Sequence, residues 1–567
     1  MNVIRLAVSS KTNWLVEWPF KLALALVIVA SALIGWQGTY WGQPYAFHSD
    51  EWRYLSRVVT DPAVPIWTIY GRWPIYFQQI AASLTGIPLT DVILARQVTL
   101  LVSLSGLIMT ALAARQLAGW KGALTATALL AGAPLIVQTA NFFITDVWLY
   151  TGVAASLWLC LRQVSCSTWL NSILLAVVWG IAIGSKLSGL FLLPMIVLAF
   201  LLSDRRQRWH RFTLVIGLAT GVALLGQPTM LLKGLQAYLY EGQLVTHLNV
   251  AAGVIRPVYS LQFANTPPWI YYLVPVLWWS AGPVLLLAGC GGAAWAIYRI
   301  VSRFRTLKGD RVLSSLLLIL VALGSLYFFS AGQYAKYARY ALPLLPPLAL
   351  LASWSVCALV ERFPRPLASA SLTAFIAASL VPGLMFAPIH RQQDTRLQAA
   401  EWIGENIPAG SVICHEPDIG YAVPPIGLGG PAYSLTADKQ YQGVLLDWGE
   451  LYYSSDYLRR IEPTYTGQQL LTKEEQAAKV ESWLSRCDWI ILSDRFADQF
   501  LPLPDDLPAI SRFYRAMLGN EQSGFQQVAI FRSLPRLLDF TIDDRSSELT
   551  FRSFDHPTIW IFHRMQA

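Results

Sequence analysis

The residues best able to do chemistry sit in a few short segments between apolar runs. His48-Ser49-Asp50-Glu51-Trp52-Arg53-Tyr54 sets two adjacent carboxylates just beyond the first such run. One acid of a pair can take a proton from a reacting hydroxyl within hydrogen-bond reach, while the other supports it. The plainer alternative is that Asp50 caps a short interfacial helix, with Glu51 in its first turn. Asn141-Phe-Phe-Ile-Thr-Asp146 supplies a third acid, with a cap or solvated terminus as its alternative. Four cations stand against the charge rule for the same face: Arg96, Lys186, Lys336 and Arg339. Cations held at bilayer depth are costly unless paired. A lipid phosphate is a fitting partner, because Arg and Lys recognise phosphate oxygens. For any single one of them, snorkelling to headgroups is the alternative.

These segments must be positioned by membrane helices. Of the 567 residues, 55% are hydrophobic and only 13% are charged, against roughly a quarter charged in soluble proteins. The 23 Trp, 24 Tyr and 24 Phe suit the headgroup level, where an apolar ring and a polar edge are both satisfied. The formal charge of +8 does not point to nucleic acid, since much of the excess lies in short loops between apolar runs, where it sets orientation.

A span needs about 20 apolar residues, and that rule predicts about eleven transmembrane helices before residue 390. They cover 19–36, 97–114, 120–137, 147–162, 169–184, 187–203, 211–226, 270–298, 312–330, 341–360 and 367–387. The first is read as a retained helix, not a signal peptide. Arg5 and Lys11, then Arg205, Arg206, Arg208 and Arg211, then Arg299, Arg303, Arg305, Lys308 and Arg311, and finally Arg362 and Arg365 all count to one side. Positive charge marks that side as cytoplasmic. The N-terminus is therefore expected inside a multi-pass plasma or inner membrane protein. Residues 37–96, 138–146, 184–187, 227–269 and 331–340 are expected outside. The amphipathic, aromatic stretch 227–269 reads as an interfacial flap, with His247 structural.

The expected domains are a transmembrane module, 1–387, and an outer α/β domain, 388–567. In the latter, Thr395–Asn406 reads as a helix and Thr472-Lys-Glu-Glu475 as a capping box. Ser411–Cys414, Asp488–Ser493, Gln527–Phe531 and Thr558–Phe562 have strand character. Cys414 and Cys487 share this domain, and whether they pair is open. The six cysteines form no CxxC or Cys/His metal spacing.

Taken in order, the motifs resemble those of the GT-C glycosyltransferases of the protein O-mannosyltransferase and aminoarabinose transferase type, similar to glycosyltransferase family 39. His48-Ser-Asp-Glu51 looks like that family's Asp-Glu motif, and Thr145-Asp146 like its second acidic site. Gly180-Ile-Ala-Ile-Gly-Ser-Lys186 is similar to its Gly/Lys stretch, and Tyr337-Ala-Arg339-Tyr340-Ala-Leu-Pro343 to its Arg-Tyr-x-x-Pro segment. Ala399-Ala-Glu-Trp-Ile403 and Phe554-Asp-His-Pro557 resemble the outer domain of bacterial members. The resemblance implies an inverting transfer from a polyprenyl-phosphate-linked sugar to a protein, glycolipid or envelope-glycan acceptor. It implies Asp50 as base or as the residue positioning the acceptor hydroxyl, Glu51 as its support and Asp146 as organiser of acceptor or sugar. Lys186, Arg339, Lys336, Arg96 and Arg53, with Tyr337 and Tyr340, would surround the phosphate. No cofactor is implied, and a metal-free reaction is favoured over one with a divalent cation, since the acids are adjacent and form no DxD. The partners implied are the donor, membrane lipids and the acceptor. Rival readings are a transporter or flippase of lipid-linked glycans, disfavoured by the lack of an inverted repeat, and a non-catalytic assembly subunit.

Overall fold

A computed structural model describes residues 14–55, 70–203, 207–240, 244–307, 309–417, 423–428, 441–462, 469–519 and 523–565. Arg5, Lys11, Arg205, Arg206 and Lys308, part of the expected inside charge, lie outside them.

The first two-thirds of the chain is helical. Among the described residues six helices are long and apolar enough to cross a membrane, or seven if the bent pair Arg208–Leu225 and Pro228–Ala252 counts as one span. The other expected crossings fall on shorter or less apolar helices: Asp146–Ser165, Trp169–Ser185, Leu187–Leu202 and Tyr272–Ala281. The protein is an integral membrane protein. Leu22, Leu26, Val29 and Leu33 of helix Trp14–Gly38 point away from the protein, which is tolerable only in hydrocarbon.

Two breaks follow from local chemistry. Helix Val92–Ala131 starts on an Asp91 cap, with Leu94 N donating to Oδ1 at 2.7 Å. It is interrupted at Ala118 and Gly119, where Gly119 has φ +65°, a region open to glycine without penalty. The expected boundary between two spans falls there. The expected single span 270–298 is two helices instead, because Pro283 lacks an N–H and opens a new one.

The C-terminal part holds a five-stranded sheet. Its strands are β1 (Val412–His415), β2 (Gln442–Leu445), β3 (Trp489–Ser493), β4 (Phe525–Phe531) and β7 (Ile559–Arg564), in the order β2-β1-β3-β7-β4. β1 runs parallel to β2 and β3, and β7 antiparallel to β3 and β4. A small hairpin, β5 (Arg536–Leu537) and β6 (Phe540–Thr541), lies apart. Thr472 and Glu475 form the expected capping box, and Cys414 and Cys487 are disulfide-bonded.

This domain is not suspended on a tether. Gln138 of the membrane part donates to Phe551 O at 2.6 Å and to Asp555 at 2.9 Å. His390 Nε2 lies 3.2 Å from Asp555, and Glu548 accepts from Ala338 N at 2.9 Å. Leu397, Phe551 and Phe554 join the main membrane core, while Val258 and Leu261 join the core of the C-terminal domain.

Candidate active site

Glycine and backbone pairing place Lys186. Helix Trp169–Ser185 ends where Lys186 turns extended, at φ −149° and ψ 124°. That residue bridges to Tyr70, Gly71 N donates to Ser185 O at 2.8 Å, and Arg72 N donates to Gly226 O at 2.8 Å. A Cβ at Gly71 would lie 1.4 Å from Gly184 O, so only glycine permits this approach. Lys186 Nζ then reaches Asp146 Oδ1 at 2.5 Å.

Asp50 lies in the short helix Ser49–Arg53. Its cap is His48, not Asp50: His48 Nδ1 accepts from Asp50 N at 3.2 Å. Burial holds that imidazole neutral, lowering it to about 3, as an accepting Nδ1 requires. The ring sits between Phe142 and Phe554, at centroid distances of 4.9 and 4.2 Å.

Successive helical residues are rotated by about 100°, so Asp50 and Glu51 part company. Asp50 Oδ2 pairs with Arg339 Nη1 at 3.0 Å, and Arg339 Nη2 donates to Tyr70 Oη at 3.2 Å. Burial pushes the Asp50 carboxyl up, but surrounding charge, Arg339 foremost, outweighs it and holds it below the usual carboxylate range. Asp50 is therefore ionised at neutral pH and can only accept.

Glu51 turns into the protein. Arg96 donates from Nε and Nη2 to its two oxygens at 2.8 Å each, both side chains being fully buried. Phe143 N also donates to Glu51, at 3.2 Å, and Arg96 Nη1 donates to Thr39 O and Trp41 O.

A cavity of about 340 Å³ lies between the membrane helices, the segment 244–259 and the C-terminal domain. Asp50, Arg53, Asp146, Lys186, Tyr337, Arg339 and Tyr340 line it, so most of the expected site residues meet there. Three do not. Arg96 and Glu51 are spent on each other, and Lys336 Nζ donates to Thr266 Oγ1 at 3.1 Å and Tyr334 O at 3.0 Å. Arg96 and Lys336, expected at the phosphate, are placed here on protein partners outside the cavity lining. On the wall, Lys186 lies 4.3 Å from the Tyr340 ring centroid and Arg339 5.4 Å from that of Tyr337, cation–π distances that hold each charge in place.

The structure adds lining residues that sequence reasoning missed: Tyr70, Arg495, Gln499 and Ser553. Arg495 follows an expected strand, where nothing in the sequence says that it faces the membrane site. Burial lowers its guanidinium to about 10, against the pull of Tyr337. His247, read as structural, also lines the cavity. Among the described residues no group of three or more His, Cys, Asp or Glu is arranged to hold a metal ion.

Residues 73–231 match the family model of dolichyl-phosphate-mannose-protein mannosyltransferase. The chain also superposes on the Archaeoglobus fulgidus oligosaccharyltransferase AglB. In its apo form the TM-score is 0.51 at 14% identity, covering 89% of this chain and 73% of that one. In its complex with an inhibitory peptide and a dolichol-phosphate the TM-score is 0.50 at 13% identity, covering 86% and 72%. The chain has the GT-C fold. ArnT from Cupriavidus metallidurans, bound to undecaprenyl phosphate, aligns over 95% of this chain and 97% of its own, with a TM-score of 0.46 at 12% identity. No curated protein matches the chain. Within this GT-C fold the matched family segment holds Asp146 and Lys186, while Asp50 and Arg339 come from either side of it.

Proposed function

We propose that this GT-C protein transfers a sugar from a polyprenyl-phosphate carrier to an acceptor hydroxyl at the outer membrane face. One observation carries the reading. In the cavity wall Lys186 and Arg339 stand beside Asp146 and Asp50, with Arg339 Nε and Asp146 Oδ2 left without hydrogen-bond partners. Such an open set suits a lipid-linked phosphate, because the two cations can take its oxygens and the unpartnered carboxylate oxygen can accept from a hydroxyl. The fold shared with a dolichol-phosphate-binding oligosaccharyltransferase and the mannosyltransferase match support a lipid-linked donor.

In the proposed step the acceptor oxygen attacks the anomeric carbon, and the bond from that carbon to the phosphate oxygen breaks. The electron pair leaves with polyprenyl phosphate, where Lys186 and Arg339 stabilise the growing charge. Stabilising such charge is often the largest catalytic contribution. The acceptor proton passes to Asp50. Its depressed basicity implies that the carboxylate first orients the hydroxyl and takes the proton late, with inversion at the anomeric carbon. Asp146 Oδ2 has no hydrogen-bond partner, which leaves it ready to accept from a sugar or acceptor hydroxyl. The N-terminus is proposed on the cytoplasmic side and the outer domain, from residue 388, on the other. The reaction is proposed to need no metal.

Purified protein given a polyprenyl-phosphate sugar and an acceptor extract is expected to release polyprenyl phosphate. Asp50→Asn should slow release by about 10²–10⁴-fold with the thermal unfolding temperature unchanged. Full turnover by Asp50→Asn removes the base assignment. Movement of glycolipid across vesicles without bond cleavage replaces the enzyme with a transporter.

A further inference from the structure

The outer domain lowers three buried polar atoms without hydrogen-bond partners onto the cavity wall: Arg495 Nη1, Gln499 Oε1 and Ser553 Oγ. None of them has an assigned contact in the transfer step above. Arg495 is only 7% exposed. The acids nearest in sequence form their ion pairs with Arg552 instead, its Nε 3.2 Å from Asp494 and its Nη2 against Asp498, so that Asp494 acts on Arg495 only at longer range. What Arg495 has is the face of Phe554, 5.3 Å from its ring centroid. A buried guanidinium without an ion-pair partner is costly to keep. Groups held at such cost gather where binding or catalysis needs them.

The mounting is rigid. Arg495 and Gln499 stand four residues apart on helix Asp494–Phe500, hence on one face. That helix leaves β3 at Ser493, whose N and Oγ donate to Glu416 at 2.7 and 2.8 Å. Ser553 ends the neighbouring helix Leu549–Ser553.

We propose that Arg495, Gln499 and Ser553 form a subsite for a sugar bearing a carboxylate, with Arg495 taking the carboxylate and the other two its neighbouring hydroxyls. The proposal rests on the lipid-linked donor reading. A sugar projects from its phosphate away from the lipid tail, so the outer roof is what it meets. The donor set favours a carboxylated sugar over a second phosphate. Gln499 Oε1 needs a hydrogen-bond donor, which ring hydroxyls next to a carboxylate supply and an ionised phosphate largely lacks. Guanidinium and carboxylate are geometrically matched in a way that a neutral sugar cannot exploit.

The test uses the full chain in lipid nanodiscs and three probes: polyprenyl phosphate, polyprenyl-phosphate glucose and polyprenyl-phosphate glucuronic acid. Wild type is expected to bind the glucuronyl lipid about tenfold or more tighter than the glucosyl lipid, the equivalent of one charge-assisted hydrogen bond. Arg495→Gln should erase that preference and leave affinity for polyprenyl phosphate within about twofold, with Arg495→Lys retaining part of the preference. The unfolding temperature of Arg495→Gln should hold or rise, since an unpaired buried charge is removed; a fall would make Arg495 structural. The wild-type comparison needs no variant, and its failure to prefer the glucuronyl lipid overturns the proposal. Equal weakening of polyprenyl phosphate by Arg495→Gln also overturns it, making Arg495 a ligand of the bridging phosphate. If wild type binds none of the three lipids, the donor reading itself is what fails.

Discussion

Asp50 and Glu51 are adjacent in sequence and opposite in circumstance. Glu51 is closed off: two bonds from Arg96, one from Phe143 N, and no exposure. Asp50 and Asp146 also meet cations, yet their surroundings are left incomplete. Asp146 Oδ2 and Arg339 Nε have no partner, and both residues line a cavity. A closed ion pair holds helices in register, whereas an open one keeps hydrogen-bonding capacity for a substrate. The contrast shows that counting acids and bases on one face finds candidates, but their remaining valences sort them.

That sorting can be broken by removing one member from each set. The largest effect is expected for Arg96→Met, which leaves Glu51 buried without its cation. Breaking such a pair costs roughly 3–5 kcal/mol, so folded protein should be depleted and its unfolding temperature should drop. If Arg96→Met instead unfolds like wild type and loses phosphate binding, the closed pair is not closed. Asp146→Asn belongs to the open set, and it should lower kcat/KM by about 10²-fold with a smaller drop in unfolding temperature than Arg96→Met, since Asn keeps an oxygen to accept from Lys186.

A smaller effect separates the docking network from the site. Burial opposes charge on His556, but Asp555 and Asp544 outweigh it and raise the imidazole to about 10. The folded protein then holds a proton that the unfolded chain loses above about 6.5, so stability falls as pH rises from there through 10. Glu416 is pushed up to about 8 by burial, against hydrogen bonds from Tyr514 and Ser493. It stays neutral where the unfolded chain ionises, so stability also falls between about 4.5 and 8. The unfolding temperature should decline from about pH 5 to pH 10. Glu416→Gln should flatten the lower part of that decline and His556→Gln the upper part. A profile unchanged in both variants would mean that neither group shifts on folding. Smallest of all, Lys336→Met should keep turnover within about twofold, because Lys336 is bonded to Thr266 and Tyr334 and is not among the residues that line the cavity around Asp50 and Lys186.

Local order was readable where it depends on neighbours in sequence. Helix Thr395–Asn406, the Thr472 capping box and strands β1, β3, β4 and β7 fall where turn residues and periodicity put them. The short β2, with its exposed Gln442 and Gly443, carries too little apolar pattern to announce itself. Cys414 and Cys487 stand 73 residues apart, and no local signal could pair them.

From its sequence alone, this chain was bound to be a membrane protein with acids and cations in short segments between apolar helices, since hydropathy and charge spacing are properties of residue type and order. Only tertiary structure decided which of those charges face a common cavity. The rotation between Asp50 and Glu51, the glycine contact that sets Lys186, and the placement of Arg495 by the C-terminal domain all depend on where distant segments pack. A side chain's partners are set by three-dimensional approach, which residue order constrains only through the fold.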